Sequence, residues 1–333
     1  MNFIQARETP SKFDSITNAI GNTPLVRLAK LFPQKHVTVL AKLEYFNPSC
    51  SIKDRIVRHI IEDAERNGNL KPGGTIVENT SGNTGAAVAM IAAARGYKAV
   101  LTMPDKVSKE KQIILRALGA KVVVCPTSAL PDSEEHYVKK ARAIAAAIPG
   151  SFMINQYDNM KNAEAHYFTT GPEIWKQTGG DIDFFVASGS TGGTVSGTGK
   201  YLKEQNPKIK IVMPDPIGSI YYGYFKTGKV DPSHIGTYQV EGVGEDHIAK
   251  CMDFAIVDEM LQFNDNDAFQ MALRAAREEG IFGGTSSGAN LWGCQKLVEK
   301  LEEPATIVTV LPDTGLKYIS KFLPLIDALE NEK

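Results

Sequence analysis

The chain has 333 residues, 43% of them hydrophobic, so it can bury a large core, and its length favours two domains over one. Its 37 basic and 38 acidic side chains give a formal net charge of -1, which gives no reason to expect a nucleic acid or an anionic membrane as partner. The N-terminal stretch MNFIQARETPSKFD lacks an apolar signal core, and no run of residues is long enough to span a bilayer.

Short β-branched segments alternate with helical patterns along most of the chain. The predicted strands are Val37–Lys42, Thr75–Glu78, Ala99–Thr102, Lys121–Cys125, Phe184–Ala187, Lys210–Met213 and Thr306–Val310. The predicted helices include Thr84–Arg95, Lys109–Leu118, Glu134–Ala147 and Asp265–Glu279. This alternation predicts an α/β fold with parallel sheets covered by helices on both faces. Residues 217–244 break the rhythm, and we expect them to lie over a cleft.

Four cysteines are scattered through the chain without the paired spacing of a disulfide framework or a zinc site. They are Cys50, Cys125, Cys251 and Cys294. We expect free thiols in a reducing compartment and therefore a cytoplasmic protein.

The stretch YFNPSCSIKDR, residues 45–55, predicts a helix start with an unusual lysine. Ser51 is a candidate N-cap, and Asp54 stands three residues later as the acidic half of a near capping box. Lys53 then falls in the first turn, where the helix dipole disfavours a positive charge. By itself the stretch favours a lysine that reaches water. The alternative is an unprotonated amine nucleophile whose pKa is lowered by its site.

Loops that directly follow strands are the first places to search, because ligands of open α/β sheets bind beyond the carboxyl ends of the strands. The loop ENTSGNTG, residues 78–85, places donors of Thr80, Ser81, Asn83 and Thr84 at a helix N-terminus, where an anion is favoured. This loop has no lysine that could bind a polyphosphate, so its ligand could equally be a carboxylate or a phosphate. A well-capped turn is the alternative.

The loop ASGSTGGTVSGTGKYL, residues 187–202, predicts a cradle for one phosphate group. Its glycines let a ligand approach the backbone closely, and its hydroxyls add donors. The spacing matches neither a Walker A loop nor the dinucleotide fingerprint GxGxxG. An exposed flexible loop is the alternative, which the preceding apolar strand disfavours. The residues that would form this cradle are Gly189, Ser190, Thr191, Gly192, Gly193 and Thr194.

A third loop, GIFGGTSSGANL at residues 280–291, leads into another helix through Ser286 and Ser287. A hydroxyl here could cap that helix or bind a ligand nitrogen, and the sequence leaves both open. One lysine, one anion loop, one phosphate cradle and a lone hydroxyl together suggest a phosphorylated aldehyde cofactor, pyridoxal 5'-phosphate.

The motifs NPSCSIKDR, TSGNTG, GSTGGT and GGTSSG, in this order and at these separations, resemble the fold type II pyridoxal-phosphate enzymes of β-replacement. That family contains cysteine synthase and cystathionine β-synthase. AIGNTPLVRL near the start and LPDTG near the end also fit, so the resemblance covers nearly the whole chain. It implies a smaller domain over 45–155, with the lysine and the substrate loop. A larger domain would comprise 1–44 and 156–330, with the phosphate loop.

The resemblance also implies a role for each candidate. Lys53 would bind the cofactor's aldehyde and later move protons at the substrate Cα and the leaving group. Asn83 would bind the ring hydroxyl, and Ser286 would face the pyridine nitrogen, which a neutral hydroxyl leaves unprotonated. Residues 190–194 would bind the phosphate. The substrate carboxylate would be bound by Thr80, Ser81, Asn83, Thr84 and Gln156.

Several stretches look more like cystathionine β-synthase than cysteine synthase, among them MPDKVSKEK, NQYDN, AEAHYFTT and YQVEGVGEDH. In the last of these, an acidic side chain at Glu245 or Asp246 could meet the amino group of a second amino acid, and we assign this role to Asp246. A solvated loop is the alternative. The chain also departs from the family at Ser190, which replaces the usual first glycine of the phosphate loop, and at Ser49 and Cys50.

We therefore expect a β-replacement on L-serine or O-acetyl-L-serine, through an aminoacrylate, that adds homocysteine to give cystathionine. The alternative is a cysteine synthase that uses sulfide. A catalytically silent binding module on the same fold is a third possibility, disfavoured by Lys53. The resemblance implies a homodimer. Haem and adenosylmethionine control are not expected, since the corresponding extensions are not seen in the sequence.

Overall fold

The computed structural model describes residues 12–130 and 132–331, and the strands of this part form two sheets. The larger sheet has six strands in the order β1-β2-β10-β7-β8-β9. Only its edge strand β1 is antiparallel to its neighbour. The strands are β1 (Leu25–Arg27), β2 (Val37–Leu43), β7 (Phe184–Val186), β8 (Lys210–Pro216), β9 (Glu259–Phe263) and β10 (Ala305–Leu311).

The smaller sheet has four parallel strands in the order β5-β4-β3-β6. They are β3 (Thr75–Asn79), β4 (Lys98–Pro104), β5 (Lys121–Cys125) and β6 (Phe152–Met153). This sheet falls within residues 45–155, and the strands of the larger sheet fall on either side of that range. The division of the chain into two domains stays a prediction.

Helices cover both faces of the two sheets, which confirms the predicted α/β class. Buried aliphatic side chains of the first two helices form one core with the smaller sheet, and those of α9 and α10 form another with the larger sheet. The helices are α1 (Lys53–Arg66), α2 (Asn83–Arg95), α3 (Lys109–Ala117), α4 (Tyr137–Ala147), α5 (Lys161–Phe168), α6 (Thr170–Thr178), α7 (Gly193–Gln205), α8 (Tyr221–Thr227), α9 (Asp265–Glu279), α10 (Thr285–Val298) and α11 (Ile319–Asn331). Within the described residues, no helix combines the length and apolarity needed to cross a membrane.

The strands and helices predicted from the sequence are present, with bounds that differ by at most three residues. The prediction omitted β1, β6 and β9. The first two have only three and two residues, and β9 is half-exposed with the mixed sequence EMLQF. Short or amphipathic strands such as these give a weak hydrophobic pattern.

The start of α1 differs from the predicted capping box. Ile52, not Ser51, is the N-cap residue, although the Ser51 hydroxyl accepts a hydrogen bond from the Lys53 N–H at 3.3 Å. The Asp54 carboxylate turns back to Ser49, whose backbone N–H donates to it at 2.7 Å and whose hydroxyl is a second donor. Asp54 therefore stabilises the turn before the helix and does not cap the helix N-terminus. In this turn Cys50 has a φ of +58°.

Candidate active site

Lys53 lies at the carboxyl end of the larger sheet, beside a cavity of about 30 Å³. The Ile52 N–H donates to the Pro312 carbonyl at 2.8 Å and so fixes the start of α1 just beyond β10. The cavity is bounded by both these residues, by Val310 of β10 and by the loop that follows β7, Ser188–Gly192 and Thr194. The chain thus brings the predicted lysine and the predicted phosphate loop to the same cavity.

The environment of Lys53 favours its neutral form. Burial lowers the pKa of its amine, while the negative charges of Asp313 and Glu245 oppose this shift. A lysine with a lowered pKa offers a larger fraction of free amine near neutral pH and is a better nucleophile. Of the two interpretations left open by the sequence, the surroundings favour the nucleophile over the lysine that reaches water.

The loop before α7 is shaped by glycine at two positions. Gly192 has a φ of +81°, and a Cβ added there would lie 2.5 Å from the Met252 Cα. A Cβ on Gly193 would collide with the Asn162 side-chain amide. The Asn162 amide donates to the Thr191 hydroxyl at 2.9 Å, and the Thr194 hydroxyl lies 3.3 Å from His166 Nε2. The loop ends at a helix N-terminus, whose first N–H groups lack intrahelical partners and favour an anion.

Ser190, which replaces a glycine of the family pattern, fits its position without backbone strain, since its φ is not positive. Its carbonyl accepts a hydrogen bond from the Tyr221 hydroxyl at 2.6 Å. Its own hydroxyl donates to Glu245 Oε1 at 2.5 Å. The Ser190 hydroxyl is therefore hydrogen-bonded to a carboxylate of the neighbouring segment, and its role as a phosphate ligand stays a prediction.

Asn83 begins α2 and joins a buried polar cluster. Its amide donates to Asp313 Oδ2 at 2.6 Å, and its carbonyl oxygen accepts from Lys317 Nζ at 2.7 Å. The Tyr318 hydroxyl donates to the same Asp313 oxygen at 2.5 Å. Burial raises the pKa of Asp313. Lys317 also donates to the carbonyls of Ser49 and Cys50, so this cluster holds the turn before Lys53 against the loop after β3.

The other residues predicted for a substrate carboxylate surround the start of α2. The Thr80 hydroxyl accepts hydrogen bonds from the N–H groups of Gly82 and Gly85, both at 3.0 Å. The Thr84 hydroxyl donates to Gln156 Oε1 at 2.7 Å. Ser81 is exposed and lines a larger cavity. The structure thus gathers this set in one place, with the Thr80 hydroxyl bound to an N–H group in the first turn of α2, whose N-cap residue is Gly82.

Ser286 lies in the first turn of α10 and is buried. It is not among the residues that line the two cavities described here. Its neighbour Thr285 accepts a hydrogen bond from the Glu241 N–H at 3.0 Å, which attaches the segment after Tyr238 to this helix.

A second cavity, of about 630 Å³, opens next to the first, and Ser190 and Gly242 line both. Its wall includes residues 238–245, so the segment predicted to lie over a cleft does so at its C-terminal end. Lys111 and Lys321 each lie 2.9 Å from a carboxylate oxygen of Glu241. Lys106 and Lys317 also line this cavity.

The two acidic candidates of the GEDH stretch have different positions. The Asp246 side chain is 70% exposed and lies 2.9 Å from the ring of His247, and it is not among the residues that line the cavity. The Glu245 side chain is 14% exposed and lines the cavity. The structure therefore brings Glu245, and not Asp246, to the side of the phosphate loop.

Sequence reasoning did not single out Lys111, Glu241 or Lys317 as members of the site. They come from segments far apart in the chain, and each belongs to a stretch with no glycine-rich loop after a strand. The one available signal was the family resemblance of the stretches MPDKVSKEK, YQVEGVGEDH and LPDTG that contain or adjoin them.

Residues 16–313 match the family described as "Pyridoxal-phosphate dependent enzyme". The chain belongs to this family. It is 43% identical over 316 residues to a cystathionine beta-synthase of Apis mellifera, covering 92% of this chain and 61% of that protein. It is 40% identical over 311 residues to cysteine synthase 1 of Emericella nidulans, covering 92% of this chain and 84% of that protein. The chain thus spans less than two thirds of the bee relative.

A solved structure of an O-acetylserine dependent cystathionine beta-synthase from Helicobacter pylori superposes with a TM-score of 0.84. Its sequence is 34% identical, and the match covers 93% of this chain and 98% of that one. The fold is therefore that of a fold type II pyridoxal-phosphate enzyme. The residues fit the cofactor: an amine of lowered pKa faces a glycine loop at a helix N-terminus, and a Cβ at Gly192 would close that loop against Met252.

Proposed function

We propose that this protein catalyses a pyridoxal-phosphate-dependent β-replacement on L-serine or O-acetyl-L-serine, with homocysteine as the incoming thiol and cystathionine as the product. The observation that carries the proposal is the placement of Lys53 in a buried cavity that adjoins both the glycine loop and a cavity of about 630 Å³. Small-molecule sites typically have volumes of about 300–1,000 Å³. The larger cavity therefore has room for a second amino acid beside the first.

Each residue has a defined task in this reaction. When bound, the cofactor withdraws electrons from the Cα of the substrate and so makes its proton acidic. Lys53 would hold the cofactor through its aldehyde until the substrate amine displaces it, and the freed amine would then take the Cα proton and give a proton to the leaving group. The loop of residues 190–194 would bind the phosphate through backbone N–H groups, and Ser286 would serve the ring nitrogen.

The loop at the start of α2 binds the substrate carboxylate. Ser81 would offer its hydroxyl there and Gln156 its amide N–H groups, and Thr84 would act through Gln156, which it holds in place by donating a hydrogen bond to Oε1. The Thr80 hydroxyl accepts from two N–H groups of the loop and keeps the turn in shape for the carboxylate. Asn83, which is hydrogen-bonded to Asp313 and Lys317, would serve the cofactor's ring hydroxyl.

Sulfide is the alternative nucleophile, and cysteine the alternative product. The similarity to a fungal cysteine synthase supports this second reaction. The cavity supports homocysteine, because a wall with both lysines and glutamates complements a zwitterion better than a small dissolved anion. The homodimer and the cytoplasmic location stay predictions.

The test is the visible absorbance of the purified holoenzyme before and after addition of L-serine, followed by mass spectrometry of the products with homocysteine or sulfide. We expect serine to change the absorbance band of the cofactor and homocysteine to restore it with formation of cystathionine. A band that responds only to O-acetylserine, with cysteine formed from sulfide, would support the alternative. Absence of any band in a cofactor-replete preparation would overturn both.

A further inference from the structure

Glu245 is a carboxylate held in place at the wall of the larger cavity. Its Oε1 accepts hydrogen bonds from the Ser190 hydroxyl at 2.5 Å and from the Tyr157 hydroxyl at 3.1 Å. Its backbone is fixed as well: its N–H donates to the Ser219 hydroxyl at 3.1 Å, and its carbonyl accepts from the Ile220 N–H at 3.0 Å. Although Glu245 belongs to a long loop, these contacts hold its side chain in one position.

Lysine amines balance the negative charge of Glu241, but not that of its neighbour Glu245. Glu241 lies between two lysine amines, each 2.9 Å from its oxygens. In the described part of the chain, Glu245 has no lysine or arginine within salt-bridge distance, and the only basic ring near it is that of His247, at 3.6 Å from Oε2. That histidine is half-exposed and closer to Asp246, at 2.9 Å.

A carboxylate in such a position can accept a further cation. Burial disfavours its ionised form and raises the pKa of Glu245. Buried charges in proteins are normally paired, and a ligand can supply the missing partner. The cavity that Glu245 lines adjoins the cavity of Lys53, so a molecule bound there lies beside the cavity of the lysine.

We propose that Glu245, positioned by Ser190 and Tyr157, binds the ammonium group of the incoming nucleophile and thereby selects amino-acid thiols over thiols that lack an amine. This inference rests on the proposed function and names the residue that determines its second substrate. The lysines of the same cavity complement the carboxylate of such a molecule. Ser190 acts through Glu245, as a positioning residue.

The first experiment compares L-homocysteine with 4-mercaptobutyrate, which differs from it only by the missing amine. Charge-assisted hydrogen bonds correspond to a preference of about 10- to 100-fold, which we expect in the kcat/KM of the unchanged enzyme. In Glu245→Gln we expect most of this preference to be lost, through a higher KM for homocysteine. The comparison of two thiols on the same protein cancels any effect of the lost charge on Lys53. A preference that survives in Glu245→Gln would overturn the inference.

The matched control is Glu204→Gln, because Glu204 also accepts a hydrogen bond from a tyrosine, Tyr167, at 2.6 Å, but is exposed and away from both cavities. We expect it to keep the preference. Asp246→Asn tests the assignment made from the sequence, and loss of the preference in that variant instead would overturn the role of Glu245. Ser190→Ala removes one donor to Glu245 and should lower the preference by a smaller factor.

A binding measurement separates this inference from the proposed function. Reduction of the holoenzyme with borohydride fixes the cofactor to Lys53, which mass spectrometry of the lysine peptide verifies. Isothermal titration with L-homoserine and with 4-hydroxybutyrate then reports binding without reaction. We expect homoserine to bind at least about 10-fold more tightly, and Glu245→Gln to remove the difference. Failure to label Lys53 would contradict the proposed function, whereas labelling with equal binding of the two ligands would contradict only the role of Glu245.

Discussion

The cavity beside Lys53 is enclosed mainly by backbone and small side chains, whereas the wall of the adjoining cavity also includes long charged side chains. Glycine, serine, threonine and proline make up most of the first wall. Four lysines and two glutamates from separate segments line the second. Few substitutions are possible where backbone forms the wall, because one added Cβ can fill the space. Where side chains form the wall, single charges can be changed without moving the backbone. Substitutions should therefore be tolerated less well in the first wall than in the second.

The largest effect should come from Lys53→Ala, which removes the one amine of the first cavity. We expect kcat to fall by at least about 1000-fold, since both the cofactor attachment and the proton transfer are lost. The visible band of the cofactor should disappear, while circular dichroism stays unchanged. Lys208→Ala, at an exposed position, is the control. Retained β-replacement in Lys53→Ala would refute the assignment of the catalytic lysine.

A second effect concerns the pH dependence of stability and comes from Glu78, close to the loop at the start of α2. Glu78 is buried at the end of β3 and accepts hydrogen bonds from the N–H groups of Asn155 at 2.8 Å and Gln156 at 3.4 Å. Burial raises the pKa of Glu78 to about 7. Because the folded protein holds this proton more tightly than the unfolded chain, its contribution to stability is present at low pH and is lost as the pH rises from about 4.5 to about 7.

Glu78→Gln should therefore flatten the pH dependence of the free energy of unfolding by up to about 3 kcal/mol, since one pKa unit corresponds to about 1.4 kcal/mol. Urea denaturation of both proteins across this pH range is the measurement. Asp215, whose pKa burial also raises to about 7, stays in both proteins, so the difference between them isolates Glu78. Parallel curves for the two proteins would show that Glu78 is not the responsible group.

Gly192→Ala should distort the backbone of the loop that lines the first cavity. The new Cβ would lie 2.5 Å from the Met252 Cα at a φ of +81°, and we expect the free energy of unfolding to fall by about 1–3 kcal/mol. Cofactor affinity should fall with it, as fluorescence titration would detect. Gly228→Ala is matched in φ, at +67°, but its Cβ would have no atom within 4 Å. Equal loss of cofactor affinity in both variants would refute the close approach as the cause.

The smallest effect on stability should come from the wall of the second cavity. Glu241→Gln removes two ion pairs, but the Glu241 side chain is 33% exposed, and pairs of this kind contribute at most about 1 kcal/mol. We expect a loss below that value, and a smaller one still at high salt, in urea denaturation. A loss as large as that of Gly192→Ala would mean that this wall is part of the structural core.

The sequence predicted the first cavity much better than the second. Lys53, the glycine loop and the loop at Thr80 each lie in a contiguous motif directly after a turn or a strand, and the alternation of strands and helices places such loops at one edge of the sheets. Glu245 could not be separated from Asp246, because neighbours in an irregular loop have no periodicity that says which of them points inward. Lys111 and Glu241 meet only through folding, and no local pattern records that contact.

The position of β10 inside the larger sheet determines when this sheet can form during translation. Because β10 lies between β2 and β7, neither of these strands has its inner neighbour until the ribosome has translated Ala305–Leu311. The smaller sheet, by contrast, is complete once Met153 has emerged. During most of translation β2 therefore offers an open edge, which is a hazard for aggregation and a site for chaperones. Limited proteolysis of ribosome-bound chains stopped before β10 should find the smaller sheet protected and β2 cleavable.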